Sequence, residues 1–379
     1  MQNFGAFAPR FLSRLLWIRS RFQLIKAYLN RWLRLETRPL QLDGEIEGLH
    51  YRIIVPGPGL RHAEASSVFF EQKVQTAAPR DTLSSDLTFR QFWPWSSRRS
   101  EPSFELWAEA YLPIRGGIET YVKEELSSMV QRRLQKALKE PHQFKIDSTL
   151  ERFELFYEEL YRPLLKLRHG QDGLPTARDS FLRQAGRTTD VQLLFIENAA
   201  GETIAGVFLI VYRLTELVKI FEYGVRSALI ADKEAFQKIY ALMNYYSIRF
   251  AFERRFKAVS FGYSKAVLND GGYFYKKQWG CTFRTTSKIN HMQVEAVGLK
   301  AADLLESRPL LMFEGDQPVA VVGLSVRASI EPLFKSLKSY RCAGMNRLYL
   351  VTSQELFVEV AARWTKEGSD LELKRWRSA

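Results

Sequence analysis

Between residues 191 and 262 the apolar side chains change from strand spacing to helical spacing and back, and this succession limits the available folds more than any other feature of the chain. Residues 191–197 form an apolar strand-length run, 198–202 a turn containing Gly201, and 203–213 a second run, so together they predict a hairpin. Residues 216–225 add a third strand. A helix follows over 233–254, with apolar positions at Phe236, Ile239, Tyr240, Met243, Ile248 and Phe252, and another strand at 257–262. A strand that leads through a long helix into another strand makes a parallel pair, so the expected unit is a mixed α/β sheet with one crossover helix.

The segment that follows has its own pattern. Asn269-Asp270-Gly271-Gly272 has the composition of a turn, residues 273–279 form a short aromatic helix carrying Tyr275, and Gly280-Cys281-Thr282-Phe283 begins a strand. Phe261-Gly262, Tyr275-Lys276 and Trp279-Gly280, taken in this order of elements, resemble the GNAT acyltransferase fold. The resemblance is strongest to its branch related to the FemAB aminoacyl transferases and the cellulose-biosynthesis-associated acetyltransferases, and it covers about residues 105 to 295, including the helix near Arg132 and Arg133.

That resemblance implies transfer of an acyl group from a carrier to an amine or hydroxyl of a cell-envelope or polysaccharide-related acceptor. The chemistry needs two positioned substrates, donors for the carrier carbonyl, a base for the acceptor proton and an acid for the leaving group. Many GNAT enzymes place that acid on a tyrosine of the last helix. Tyr275, four residues before Trp279 and five before Gly280, is the corresponding residue. The alternative is that Tyr273, Phe274, Tyr275 and Trp279 form an aromatic core face. Glu222 is the candidate base: its neighbours are apolar, so in a cleft its carboxyl would hold its proton more tightly, whereas facing outward it is a solvated acid. Asp270 competes for the role and also suits a turn. The implied donor site comprises Tyr223, Gly224, Val225, Arg226, Ser227 and Lys276. The family's usual glycine-rich pyrophosphate loop is reduced here to the single Gly224, so acetyl-CoA stands beside aminoacyl-tRNA as the implied acyl carrier. A non-catalytic GNAT-fold interaction protein docking at the membrane surface is the second reading.

With 379 residues, 46% of them hydrophobic, the chain can bury one large or two ordinary cores. Its formal net charge of +13 favours anionic partners, with nucleic acid among them only if the donor is aminoacyl-tRNA. Two distant cysteines, Cys281 and Cys342, and five scattered histidines supply neither a disulfide framework nor metal-ligand spacing. Neither a membrane-spanning run nor a secretory signal is evident, which places the chain in the cytoplasm. Residues 10–36 read as a basic amphipathic helix with an apolar stripe including Phe11, Leu15, Ile18 and Trp32. Such a helix docks on an anionic membrane surface, here the inner membrane, or packs on the body of the protein or a second copy.

The remaining patterns complete a division into a basic helix (1–39), a strand-rich part (40–117), a GNAT-like domain (118–297) and a small parallel α/β unit (298–379). One helix is expected over 118–139 and another over 150–167, with a shorter one at 178–185. Trp93-Pro94-Trp95 reads as an exposed loop that anchors itself or touches a ligand. In the last unit, strands are expected at 318–324, 347–351 and 371–376, and helices at 330–342 and 354–366.

Overall fold

The computed structural model describes residues 40–46, 49–55, 68–70, 75–77, 86–91, 102–169, 190–285, 292–297, 300–325, 330–366 and 371–376. The basic stretch at 10–36, the Trp93-Pro94-Trp95 loop and the helix expected at 178–185 lie outside these residues.

In chain order the strands are β1 (Leu40–Ile46), β2 (Leu49–Val55), β3 (Gln75–Ala77), β4 (Leu87–Gln91), β5 (Ser103–Phe104), β6 (Trp107–Pro113), β7 (Gln143–Ile146), β8 (Asp190–Glu197) and β9 (Thr203–Tyr212). They continue with β10 (Leu217–Val225), β11 (Ala258–Lys265), β12 (Thr282–Thr285), β13 (Met292–Val297), β14 (Leu310–Glu314), β15 (Gln317–Gly323), β16 (Arg347–Val351) and β17 (Glu372–Arg375). Among the described residues they form two sheets, one of seven strands in the order β12-β6-β11-β10-β9-β8-β7 and one of ten.

The seven-stranded sheet carries the expected series of strands and crossover helix. β8, β9 and β10 are antiparallel neighbours, the crossover helix (Lys233–Glu253) follows, and β11 returns parallel to β10. Both faces of β9 are covered, which explains why its sequence is an unbroken apolar run rather than an alternation. One face packs on the crossover helix. The other packs on Phe153, Phe156, Tyr157 and Leu160 of the helical segment 150–169.

Two expected helices differ in detail. The run at 118–139 is two helices, Ile118–Glu124 and Ser128–Leu138, because the Ser127 hydroxyl accepts from the Val130 amide and starts a new helix. The helix at 150–167 forms, but its middle, Phe156–Tyr161, is a π-turn in which the Arg162 amide reaches the Tyr157 carbonyl. Pro163 follows at once. Proline has no amide hydrogen and crowds the carbonyl four residues earlier, so a widened turn accommodates it.

At the C-terminal end, β15, β16 and β17 pair in parallel, as the sequence predicts, after an antiparallel β14–β15 hairpin. They do not form a separate sheet. β14 pairs with β5, and through β13 and β4 the ten-stranded sheet runs on to β2, β1 and β3.

Candidate functional site

β10 and β11 part company halfway along their length. Their parallel pairing covers only Leu217–Lys219 against Ala258–Ser260; beyond it β10 stays with β9 while β11 stays with β6. Each strand has an irregularity at the parting, between Ile220 and Glu222 on β10 and between Ser260 and Tyr263 on β11. Gly262 adopts φ +72°, a left-handed conformation that a bulged strand tolerates in glycine, which gives Phe261-Gly262 a structural reason. Ligands collect where parallel strands open at their carboxyl ends.

A cleft of about 440 Å³ occupies this opening. Tyr223 of β10 and Phe261 of β11 lie at its base, with Phe236, Gln237, Tyr240 and Ala241 of the crossover helix on one wall. Gly272, Tyr275, Lys276 and Trp279 of the tyrosine helix (Gly271–Gln278) and its C-cap form another wall, and Val130 and Arg133 close it.

The tyrosine helix is fixed at both ends. The Asp270 carboxylate accepts from the Gly272 amide at 2.8 Å and the Tyr273 amide at 3.3 Å, which is N-cap geometry. At the other end Gly280, at φ +74°, lets its own amide reach the Lys277 carbonyl at 3.0 Å, so Trp279-Gly280 is a helix stop. Tyr273 is fully buried and its hydroxyl donates to the Tyr340 carbonyl; burial pushes its ionisation well above that of an ordinary tyrosine. Of the four aromatics, Tyr273 and Trp279 are core residues, while Tyr275 is half-buried in the cleft wall.

The Tyr275 hydroxyl accepts a hydrogen bond from the Asn244 amide. Asn244 is 0% exposed; it also donates to the Tyr240 carbonyl at 2.9 Å, and its carbonyl oxygen accepts from the Tyr223 hydroxyl at 2.7 Å. One buried amide thus holds two tyrosine hydroxyls, from β10 and from the tyrosine helix. Sequence reasoning missed Asn244. The available signal was a lone carboxamide inside the apolar face of the crossover helix, where an unpaired polar group is costly. Lys276 is half-buried, donates to the Tyr263 carbonyl at 2.5 Å, and burial lowers its pKa from 10.5 to about 8.

Among the expected site residues, Tyr223, Tyr275 and Lys276 therefore share one cleft. Glu222 sits at the β10 bulge beside Tyr223, and neither it nor Asp270 is among the cleft-lining residues. The remaining donor-site candidates face elsewhere or are committed. A Cβ on Gly224 would stand 2.6 Å from the Leu160 Cβ, so this glycine permits close contact with the π-turn. Val225 is core. Arg226 donates to the Thr203 carbonyl at 2.5 Å and pairs with Glu159 at 3.2 Å, and Ser227 starts a one-turn helix. At the start of the crossover helix the Asp232 carboxylate accepts from the amides of Glu234 at 2.8 Å and Ala235 at 3.1 Å. Among the described residues no helix is long and apolar enough to cross a membrane.

No family model and no curated sequence matches the chain. Solved structures similar to it in part include L-PGS from Bacillus licheniformis, at 13% identity and a TM-score of 0.33 over 50% of this chain and 60% of that one. FemX is similar at 12% identity and a TM-score of 0.39 over 66% of this chain and 83% of that one. A conserved protein from Enterococcus faecalis V583, described as a probable N-acyltransferase, is similar at 10% identity and a TM-score of 0.28, covering 72% and 62%. The chain thus spans 60% of the length of the L-PGS structure. At these TM-scores the overlaps are partial, and the chemistry of the cleft has to come from its own residues.

Proposed function

We propose that the cleft transfers an acyl group, acetyl or aminoacyl, from a carrier to an amine or hydroxyl of a cell-envelope or polysaccharide-related acceptor. Tyr275 carries the reading, because its hydroxyl stands in the wall of a sheet opening and is held there by a buried amide. The acceptor nitrogen or oxygen attacks the carrier's carbonyl carbon and loses its proton to a base. The carrier departs as thiolate or alkoxide and takes the Tyr275 proton. The Asn244 N–H, already donating to the phenolic oxygen, stabilises the charge that remains on it. Glu222, at the bulge beside Tyr223, is the proposed base, and Asp270 caps the tyrosine helix.

The donor is acetyl-CoA or aminoacyl-tRNA. Asp232 weighs against a CoA pyrophosphate at the crossover-helix N-terminus, since its carboxylate occupies two of the amides that such a phosphate would use. The same observation favours the second reading, a non-catalytic protein that keeps the fold and docks at a membrane through residues 10–36. Thermal unfolding with acetyl-CoA and, separately, with aminoacyl-tRNA distinguishes them. A donor at 100 times its Kd stabilises by about 2.7 kcal/mol, and absence of a shift with either carrier removes the enzyme reading. For an active enzyme, Tyr275→Phe lowers turnover by about 100-fold or more and costs about 1–3 kcal/mol of stability, since the Asn244 N–H loses its acceptor; unchanged turnover rules out its acid role.

A further inference from the structure

Two buried polar atoms at or behind this cleft have no hydrogen-bond partner among the described residues, and two cations beside it have no carboxylate there. Trp279 packs against Phe261 and Tyr275 in the cleft wall and is 1% exposed, yet its indole N–H has no hydrogen-bond partner among the described residues. One other buried side-chain polar atom shares this condition, Ser264 Oγ, and it lies behind the same wall: a Cβ on Gly272 would stand 3.6 Å from it. Arg133 enters from the opposite side. Its guanidinium meets the Met129 sulfur at 4.0 Å and pairs with no carboxylate of the described residues. Lys276 donates to a backbone carbonyl and likewise forms no ion pair among them. No lining residue is acidic, and most of the lining is aromatic or aliphatic.

Core packing alone accounts for the burial of Trp279, but not for its unused donor. A buried N–H without an acceptor costs about 1–3 kcal/mol, and native proteins leave few such groups. A solvated helix face accounts for Arg133 alone. It does not account for Arg133, Lys276 and Trp279, whose indole N–H has no partner, lining the same acid-free cleft.

We propose that the cleft holds a ligand whose apolar body carries an oxyanion, phosphate or carboxylate, with the body against Phe236, Tyr240 and Phe261 and the oxyanion met by Arg133, Lys276 and the indole N–H of Trp279. This deepens the acyl-transfer reading and rests on the cleft being its site, since it names the class of group that one of the two substrates brings there.

The test is a titration of the full-length protein labelled with ¹⁵N-tryptophan, with Trp279 assigned by the indole signal lost in Trp279→Phe. If that variant does not fold, nuclear Overhauser contacts from the probe's ring to an indole N–H of the unsubstituted protein make the assignment. The probes are phenyl phosphate and phenylacetate, with phenol and inorganic phosphate as controls lacking the oxyanion or the apolar body. Saturable movement of the Trp279 signal by phenyl phosphate or phenylacetate, at an affinity at least tenfold above either control, supports the proposal and tells phosphate from carboxylate. Arg133→Met weakens the effective probe tenfold or more, while Lys139→Met on the exposed end of the same helix leaves it unchanged. Failure of both oxyanion probes to move the signal, equal movement by phenol, or full-strength binding by Arg133→Met overturns it. Probe binding is read without turnover. Loss of turnover in Tyr275→Phe together with no probe binding would sink this proposal and leave the transferase reading standing.

Discussion

Asn244 and Lys276, one bonded to Tyr275 and the other next to it in the chain, carry opposite stability consequences. Replacing Asn244 with leucine keeps the volume but removes its hydrogen bonds with the hydroxyls of Tyr223 and Tyr275. Each such hydrogen bond contributes about 0.5–1.5 kcal/mol net, so urea unfolding of Asn244→Leu should give a loss of roughly 1–3 kcal/mol; a loss below about 0.5 kcal/mol would mean that the amide is not the clamp. For Lys276, burial is the main influence; Cys281, Asp270 and Glu109 oppose it and Lys219 adds to it. Its folded pKa near 8 lies below the ordinary 10.5, so between those values the folded protein binds fewer protons than the unfolded chain and gains stability as pH rises. Below pH 8 the protein bears the full cost of the buried ammonium. Lys276→Met should therefore stabilise by on the order of 2 kcal/mol at pH 7, and the advantage should shrink between pH 8 and 10.5. A pH-independent difference would contradict the assignment.

At the scale of elements, the crossover helix depends on its N-cap, Asp232. Asp232→Ala removes the carboxylate that accepts from two backbone amides and should cost about 1 kcal/mol in chemical denaturation. If the cost is near zero, the carboxylate is not holding those amides, and the case against a phosphate there weakens. The series from β8 to β11 was legible in the sequence because each run had its own period and a turn or cap at its ends. The break at Ser127 was not, since serine beside Ser128 in an amphipathic run looks like solvated helix until its hydroxyl is seen to accept from Val130. β6, β7 and β14 also had no separate signal: short strands become definite only through partners distant in sequence, as β6 does between β11 and β12. The site divided in the same way. Tyr275, Tyr223 and Lys276 were singled out through the resemblance and line one cleft, whereas Asn244 acquires meaning only when residues 21 and 31 positions away arrive at its amide.

For the whole molecule, the ten-stranded sheet decides how the chain comes apart. Its strands 14 to 17 continue directly onto β5 and β13, so the point between residues 297 and 298 lies within one hydrogen-bonded sheet. The tyrosine helix is tied to the same region by the Tyr273 hydroxyl on the Tyr340 carbonyl and by Lys277 on the Ser339 carbonyl. We therefore expect residues 298–379 to unfold with the site in a single calorimetric transition, and a chain ending at residue 297 to lose the folded cleft. Two resolved transitions would show instead that the C-terminal unit is independent. The paired bulges on β10 and β11 have a different consequence. Because the gap is framed by backbone register, exchanging the side chains around it can alter which molecule is accepted without closing the doorway, so a protein of this shape can change its chemistry by small steps while its frame stays in place.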